Sequence, residues 1–82
     1  MLEYNPTRAL GRYLPLVEAQ IYEVVRHHPG ITPAALRDAV RVDPPESQTA
    51  LHTHVARLNR LLAPFGVEIR SAGGGYSIRA VS

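Results

Sequence analysis

The stretch Ser47–Leu62, SQTALHTHVARLNRLL, carries its apolar side chains at the spacing of one helical stripe. At 3.6 residues per turn Leu51, Val55, Leu58 and Leu62 align on one side, while Thr49, Thr53, Ala56 and Arg60 fall opposite them, flanked by His52 and Arg57. One side packs and the other is left to touch something. The outward side holds small polar residues, two arginines and a histidine but no carboxylate, whereas a helix that only meets water commonly mixes acids and bases. Such a face suits a DNA groove. Two arginines on an amphipathic helix are more often a solvated surface than a binding site, so the flanking chain has to decide.

Upstream, a helix is expected from near Pro15 to about His27, with Val17, Ile21, Val24 and Val25 inward, ended by His28-Pro29-Gly30. The next helix has the clearest start in the chain. Thr32 suits the N-cap, Pro33 the first helical position, and Ile31 can pack on Leu36 as a hydrophobic staple. It is expected to run from Pro33 to about Arg41 with Leu36, Ala39 and Val40 inward. Pro44 and Pro45 restrict the short loop Val42–Glu46 that leads into the long helix. Two helices joined by a short turn, the second with an uncommitted polar face, make a helix-turn-helix arrangement. Residues 1–13 show no period; at most Arg12–Leu14 adds a short strand.

Downstream, Pro64 stops the long helix and the period changes from 3.6 to 2. Val67 and Ile69 alternate with Glu68 and Arg70, and Tyr76, Ile78 and Ala80 alternate with Ser77 and Arg79, around a tip rich in glycine at 73–75. This is a β-hairpin. The glycines open no helix and are followed by no Lys-Ser or Lys-Thr pair, which argues against a nucleotide loop. A hairpin tip beside the long helix can reach a neighbouring groove or phosphate. The fold class is therefore α+β, three helices followed by a C-terminal hairpin.

The 82 residues, 45% of them hydrophobic, fit one domain without linker or repeat. The absence of cysteine removes disulfides and thiolate zinc sites. No apolar run is long enough for a membrane span, and no signal-peptide core is present, so a soluble cytoplasmic protein, associated with the nucleoid, is expected. The net charge of +2 is unevenly spread: residues 1–47 hold five arginines against six carboxylates, and residues 48–82 hold four arginines against Glu68 alone. That sidedness is what a small domain shows when one end meets phosphates. All nine bases are arginine, which suits bidentate contacts to guanine or phosphate, although a codon bias explains the same composition more simply.

Catalysis and metals have little to stand on. His52 and His54 lie about 200° apart around a helix and cannot share one metal ion as an i, i+4 pair does. His27 and His28 sit where a helix C-terminus favours positive charge. No nucleophile is ordered against a base, and neither enzyme activity, cofactor nor metal is expected.

The order HHPGITPAALRDAV, ALHTHVARLNRLL and VEIRSAGGGYSI resembles the winged helix-turn-helix effector domain of OmpR/PhoB-type bacterial transcription regulators, over roughly residues 14–78. The most specific elements are His54-Val55 followed by Leu58, and Gly73 with Gly75-Tyr76, at their spacing. The resemblance implies a single winged helix domain over residues 1–82, with 1–13 an N-terminal extension, 47–62 the recognition helix in the major groove and 67–81 the wing hairpin at the adjacent minor groove. It implies DNA contacts from Thr49, His52, Thr53, Ala56, Arg57 and Arg60 on the helix, with His54 at the core edge and Tyr76 under the wing. Arg70, Gly73, Gly74 and Arg79 complete the expected DNA-binding set on the hairpin. The family's effector domain follows a phosphoacceptor receiver domain, for which this chain leaves no room, so phosphorylation control is not implied.

Function follows as an expectation: sequence-specific binding of double-stranded DNA by a bacterial or phage transcription regulator, a monomer in solution that binds in tandem or as a dimer on DNA. The helix and hairpin are less basic than the family's usual pattern at Ala56, Asn59 and Gly73. That keeps open an alternative, a winged-helix adaptor without DNA binding of its own, docking RNA polymerase or another regulator.

Overall fold

The computed structural model describes residues 14–81, so the N-terminal extension 1–13, with Arg12 of the expected short strand, lies outside the described residues. Leu14, the last residue of that expected strand, is a buried bend residue and joins none. Three helices come first: α1 (Leu16–His27), α2 (Pro33–Ala39) and α3 (Gln48–Leu62). A 3-10 turn over Ala63–Phe65 leads to an antiparallel pair, β1 (Val67–Ala72) and β2 (Gly75–Ala80). The molecule is thus α+β, with a hairpin at the C-terminal end of a three-helix array. No helix among the described residues is long and apolar enough to cross a membrane.

The helix boundaries follow from local chemistry. Thr32 Oγ1 accepts the Ala35 N–H at 3.2 Å and Ser47 Oγ accepts the Ala50 N–H at 3.1 Å, each satisfying one of the amides a helix start leaves open. Pro15 stands just before α1 as its N-cap instead of inside the first turn. The second helix ends two residues earlier than its apolar pattern suggests. Val40 turns extended, and the Gln20 amide, from α1, takes over the backbone: its Oε1 accepts the N–H groups of Arg41 and Val42 at 2.9 and 3.1 Å, and its Nε2 donates to Val42 O at 2.9 Å. A side chain from another helix has replaced the bonds that a further helical turn would have made. The long helix ends at Leu62, ahead of Pro64 as expected, and a 3-10 turn accommodates the proline before Gly66 closes the segment at φ 75°.

The core is built from Ile21, Tyr22 and Val25 of α1, Leu36 and Val40 around α2, the stripe Leu51, Val55, Leu58 and Leu62 of α3, and Ile69 and Tyr76 of the hairpin. Each such side chain contributes about 1.5–3 kcal/mol on full burial. The α3 stripe is the one expected from its spacing, and all four of its residues are buried. In α1 the inner face is turned from the expected one. Val17 and Val24 are only partly covered, and Glu18 and Tyr22 are buried with Ile21 and Val25.

In the hairpin Val67 faces Ala80, Ile69 faces Ile78 and Ser71 faces Tyr76, which puts Glu68, Arg70, Ser77 and Arg79 together on the other side. The three glycines of the tip play different parts. Gly73 and Gly74, at φ 61° and 84°, form the two-residue turn, as a tight hairpin with two positive φ angles requires. Gly75 is buried, and a Cβ there would run into the Gly30 carbonyl of the α1–α2 turn. This close approach lets Tyr76 bridge to that turn: its N–H donates to Ile31 O at 2.8 Å, and its carbonyl accepts from Gly30 N at 2.7 Å. The hairpin is fastened on its other strand as well. Asn59 of α3 donates from Nδ2 to Ile69 O at 3.0 Å and accepts the Ile69 N–H on Oδ1 at 2.7 Å.

Candidate nucleic-acid interface

The outward side of α3 is open along its length. Thr49, His52, Thr53, Ala56, Arg57 and Arg60 are all exposed, while Leu51, Val55, Leu58 and Leu62 on the other side are buried. Arg70, Gly73, Gly74 and Arg79 of the hairpin are exposed too. The ten residues therefore lie at the surface, in two groups, one on the helix and one on the hairpin. The link between the groups is aromatic: the His52 ring stands edge-on to the Tyr76 ring, 6.4 Å between centroids and 66° between planes. Burial pushes the Tyr76 hydroxyl above its ordinary pKa, so it stays neutral through the physiological range.

Within the helix group, Thr53 Oγ1 donates to Thr49 O at 3.1 Å. The hydroxyl proton is thereby spent on the helix backbone, leaving an oxygen acceptor and a methyl group for any partner. Arg60 forms no ion pair among the described residues. Arg57 is different. Its Nη1 lies 3.9 Å from Oε2 of Glu18, the same carboxylate oxygen that accepts from His54 Nδ1 at 2.6 Å. The face that is free of carboxylates in the sequence of α3 has one beneath it, supplied by α1.

The hairpin group carries its acid openly. Glu68 stands directly across from Arg79 in the ladder and two residues from Arg70, and its Oε2 is 3.4 Å from Arg70 Nη1 and 3.5 Å from Arg79 Nε. The two cations share one carboxylate, so the positive charge counted along this segment is partly cancelled in place. Arg37, on α2, is also committed: it donates from Nη2 to Glu46 O at 3.0 Å and from Nε to Pro45 O at 3.4 Å, holding the loop that precedes α3. An open depression of about 350 Å³ between α1 and α2 is lined by Ala19, Gln20, Glu23, Val24, Ala39 and Arg41 and shares no residue with the ten.

The sequence gives no role to Glu18 or Gln20 and marks Asn59 only as a place where a base is missing. An acid one position from the apolar stripe of α1 was a usable signal for Glu18, since a carboxylate so placed has to find a cation or leave the core. Gln20 and Asn59 had no comparable signal, because their partners are backbone groups that only the fold brings near. Compared with family models, curated proteins and solved structures, the chain gives no match.

Proposed function

We propose that this chain is a sequence-specific double-stranded DNA-binding module of winged helix-turn-helix type, acting as a bacterial or phage transcription regulator. In this reading α3 enters the major groove and the hairpin is the wing at the adjacent minor groove. One observation carries it: six residues able to meet base edges or phosphates are exposed along one side of a helix whose other side is wholly buried. The arrangement around α3 supports the same reading. A capped α2, a loop held by Arg37 and Gln20, and a hairpin fastened at Asn59 and Ile31 leave α3 a rigid platform, and rigid elements present base-reading side chains with least loss of freedom on binding.

The chemistry assigned to the face is specific. Arg57 donates two hydrogen bonds to a guanine edge, the Thr53 methyl meets a thymine, and Arg60 with backbone amides contacts phosphate. Titrating the chain against mixed genomic duplexes by fluorescence anisotropy, at low and moderate salt, tests this. Arg60, Arg70 and Arg79 at phosphates predict a log-log salt slope of magnitude up to roughly 3, from about 0.9 per phosphate neutralised. The shared use of Glu68 by Arg70 and Arg79 favours the lower part of that range and is the observation behind a second reading, an adaptor that docks polymerase or another regulator. Binding to duplexes that is absent or insensitive to salt selects the adaptor.

A further inference from the structure

Glu18 is the buried charged residue of the described core, 1% exposed, and it sits on α1, which supplies none of the ten proposed DNA-contacting residues. Both side chains that meet its carboxylate come from α3. His54 Nδ1 donates to it at 2.6 Å, a short hydrogen bond. His54 supplies the hydrogen bond to Oε2, and no buried side-chain polar atom among the described residues is left without a partner. The 3.9 Å approach of Arg57 is thus additional: too long for a hydrogen bond, it is a charge contact that reaches a guanidinium whose side chain is 55% exposed. Arg57 stands half out of the surface, within the field of a buried acid whose hydrogen bond comes from another side chain.

We propose that Glu18 is a positioning residue for DNA recognition, restraining the Arg57 guanidinium on the α3 surface so that it meets a base edge in a set geometry instead of ranging over the phosphates. The inference rests on the DNA-binding reading of α3. The carboxylate acts in two ways. It limits the rotamers of a long side chain before DNA arrives, so less freedom is lost when two hydrogen bonds to one base form. It also offsets part of the local positive charge, which weakens attraction to any phosphate while leaving the hydrogen-bond geometry of the guanidinium intact. Glu18 therefore lowers general affinity and raises discrimination.

The experiment has one arm without DNA and one with it. In the free wild-type chain, NMR relaxation of the arginine Nε–H groups should find Arg57 more ordered than Arg60; equal mobility of the two overturns the proposal whether or not the chain binds DNA, and it requires no variant to fold. In the second arm Glu18→Gln, which still accepts from His54 Nδ1 but carries no charge, is compared with wild type on its best duplex and on a mixed-sequence duplex of equal length. The preference between the two should fall roughly 5-fold, a moderate coupling between contacting residues, and the salt slope should steepen by about 0.9 as Arg57 takes up a phosphate. The same change made on an Arg57→Ala background should alter the preference less than about 2-fold. A loss of preference that persists without Arg57 means that Glu18 acts through charge or fold alone, and the proposal is wrong. If Arg57 is ordered in the free chain but no duplex is bound at any salt, the DNA-binding reading has failed, and the positioning role falls with it.

Discussion

Arg57 and Arg60 on α3 and Arg70 and Arg79 on the hairpin are the same residue type in different electrostatic company. On the helix the only acid nearby among the described residues is Glu18, buried beneath and already bonded to His54, so both guanidinium groups face outward with most of their charge unspent. On the hairpin Glu68 lies on the same exposed face and within 3.5 Å of both cations. Charge counted along a sequence is therefore not charge available to a ligand. The excess of positive charge after residue 48 belongs in practice to α3, and the hairpin contributes backbone and shape more than field.

Three substitutions probe that contrast. The largest effect is expected from Leu58→Ala, on the buried stripe of α3 and one residue from Arg57: loss of its packing should destabilise the fold by about 2–5 kcal/mol in a denaturant titration. An unfolding midpoint that hardly moves would mean that α3 is rotated differently and that its two sides have been confused. Next comes Arg57→Ala, expected to weaken binding to the preferred duplex by about 1–3 kcal/mol and relax the preference at one base position. Its cost to stability should stay within about 1 kcal/mol, since it gives up a mostly solvated charge contact and leaves His54 on Glu18. Undiminished affinity for the best site would remove α3 from the interface. The smallest effect is expected from Arg79→Ala, below about 0.5 kcal/mol in affinity, because the cation removed is already shared with Glu68 and Arg70 then keeps that acid to itself. A loss as large as that for Arg57 would show the hairpin arginines abandoning Glu68 for DNA and would erase the distinction between the two regions.

Much of this arrangement is local chemistry and could be read along the chain. Thr32 and Ser47 lie one residue before the helices they cap, Leu51, Val55, Leu58 and Leu62 recur at the helical period, and the change to period 2 after Gly66 marks the hairpin, with Gly73 and Gly74 at its turn. Each of these signals acts within about one turn of helix or one strand pair, the range over which backbone hydrogen bonding and side-chain spacing are coupled. The side of α3 left exposed belongs with them, because burying one stripe of a helix exposes the other.

The tertiary structure alone decided what stands behind that exposed side. Glu18 meets His54 across 36 residues of chain, Gln20 caps the backbone at Val42 across 22, and Asn59 clasps Ile69 across 10. Gly75, which reads as one more flexible tip residue, is held to glycine by the Gly30 backbone it packs against. These contacts carry no periodicity, since each is a single polar group or a missing Cβ whose partner arrives only when separate elements pack. A buried polar atom must find a partner wherever the fold supplies one, and the sequence names the atom that needs satisfying without naming the residue that will do it.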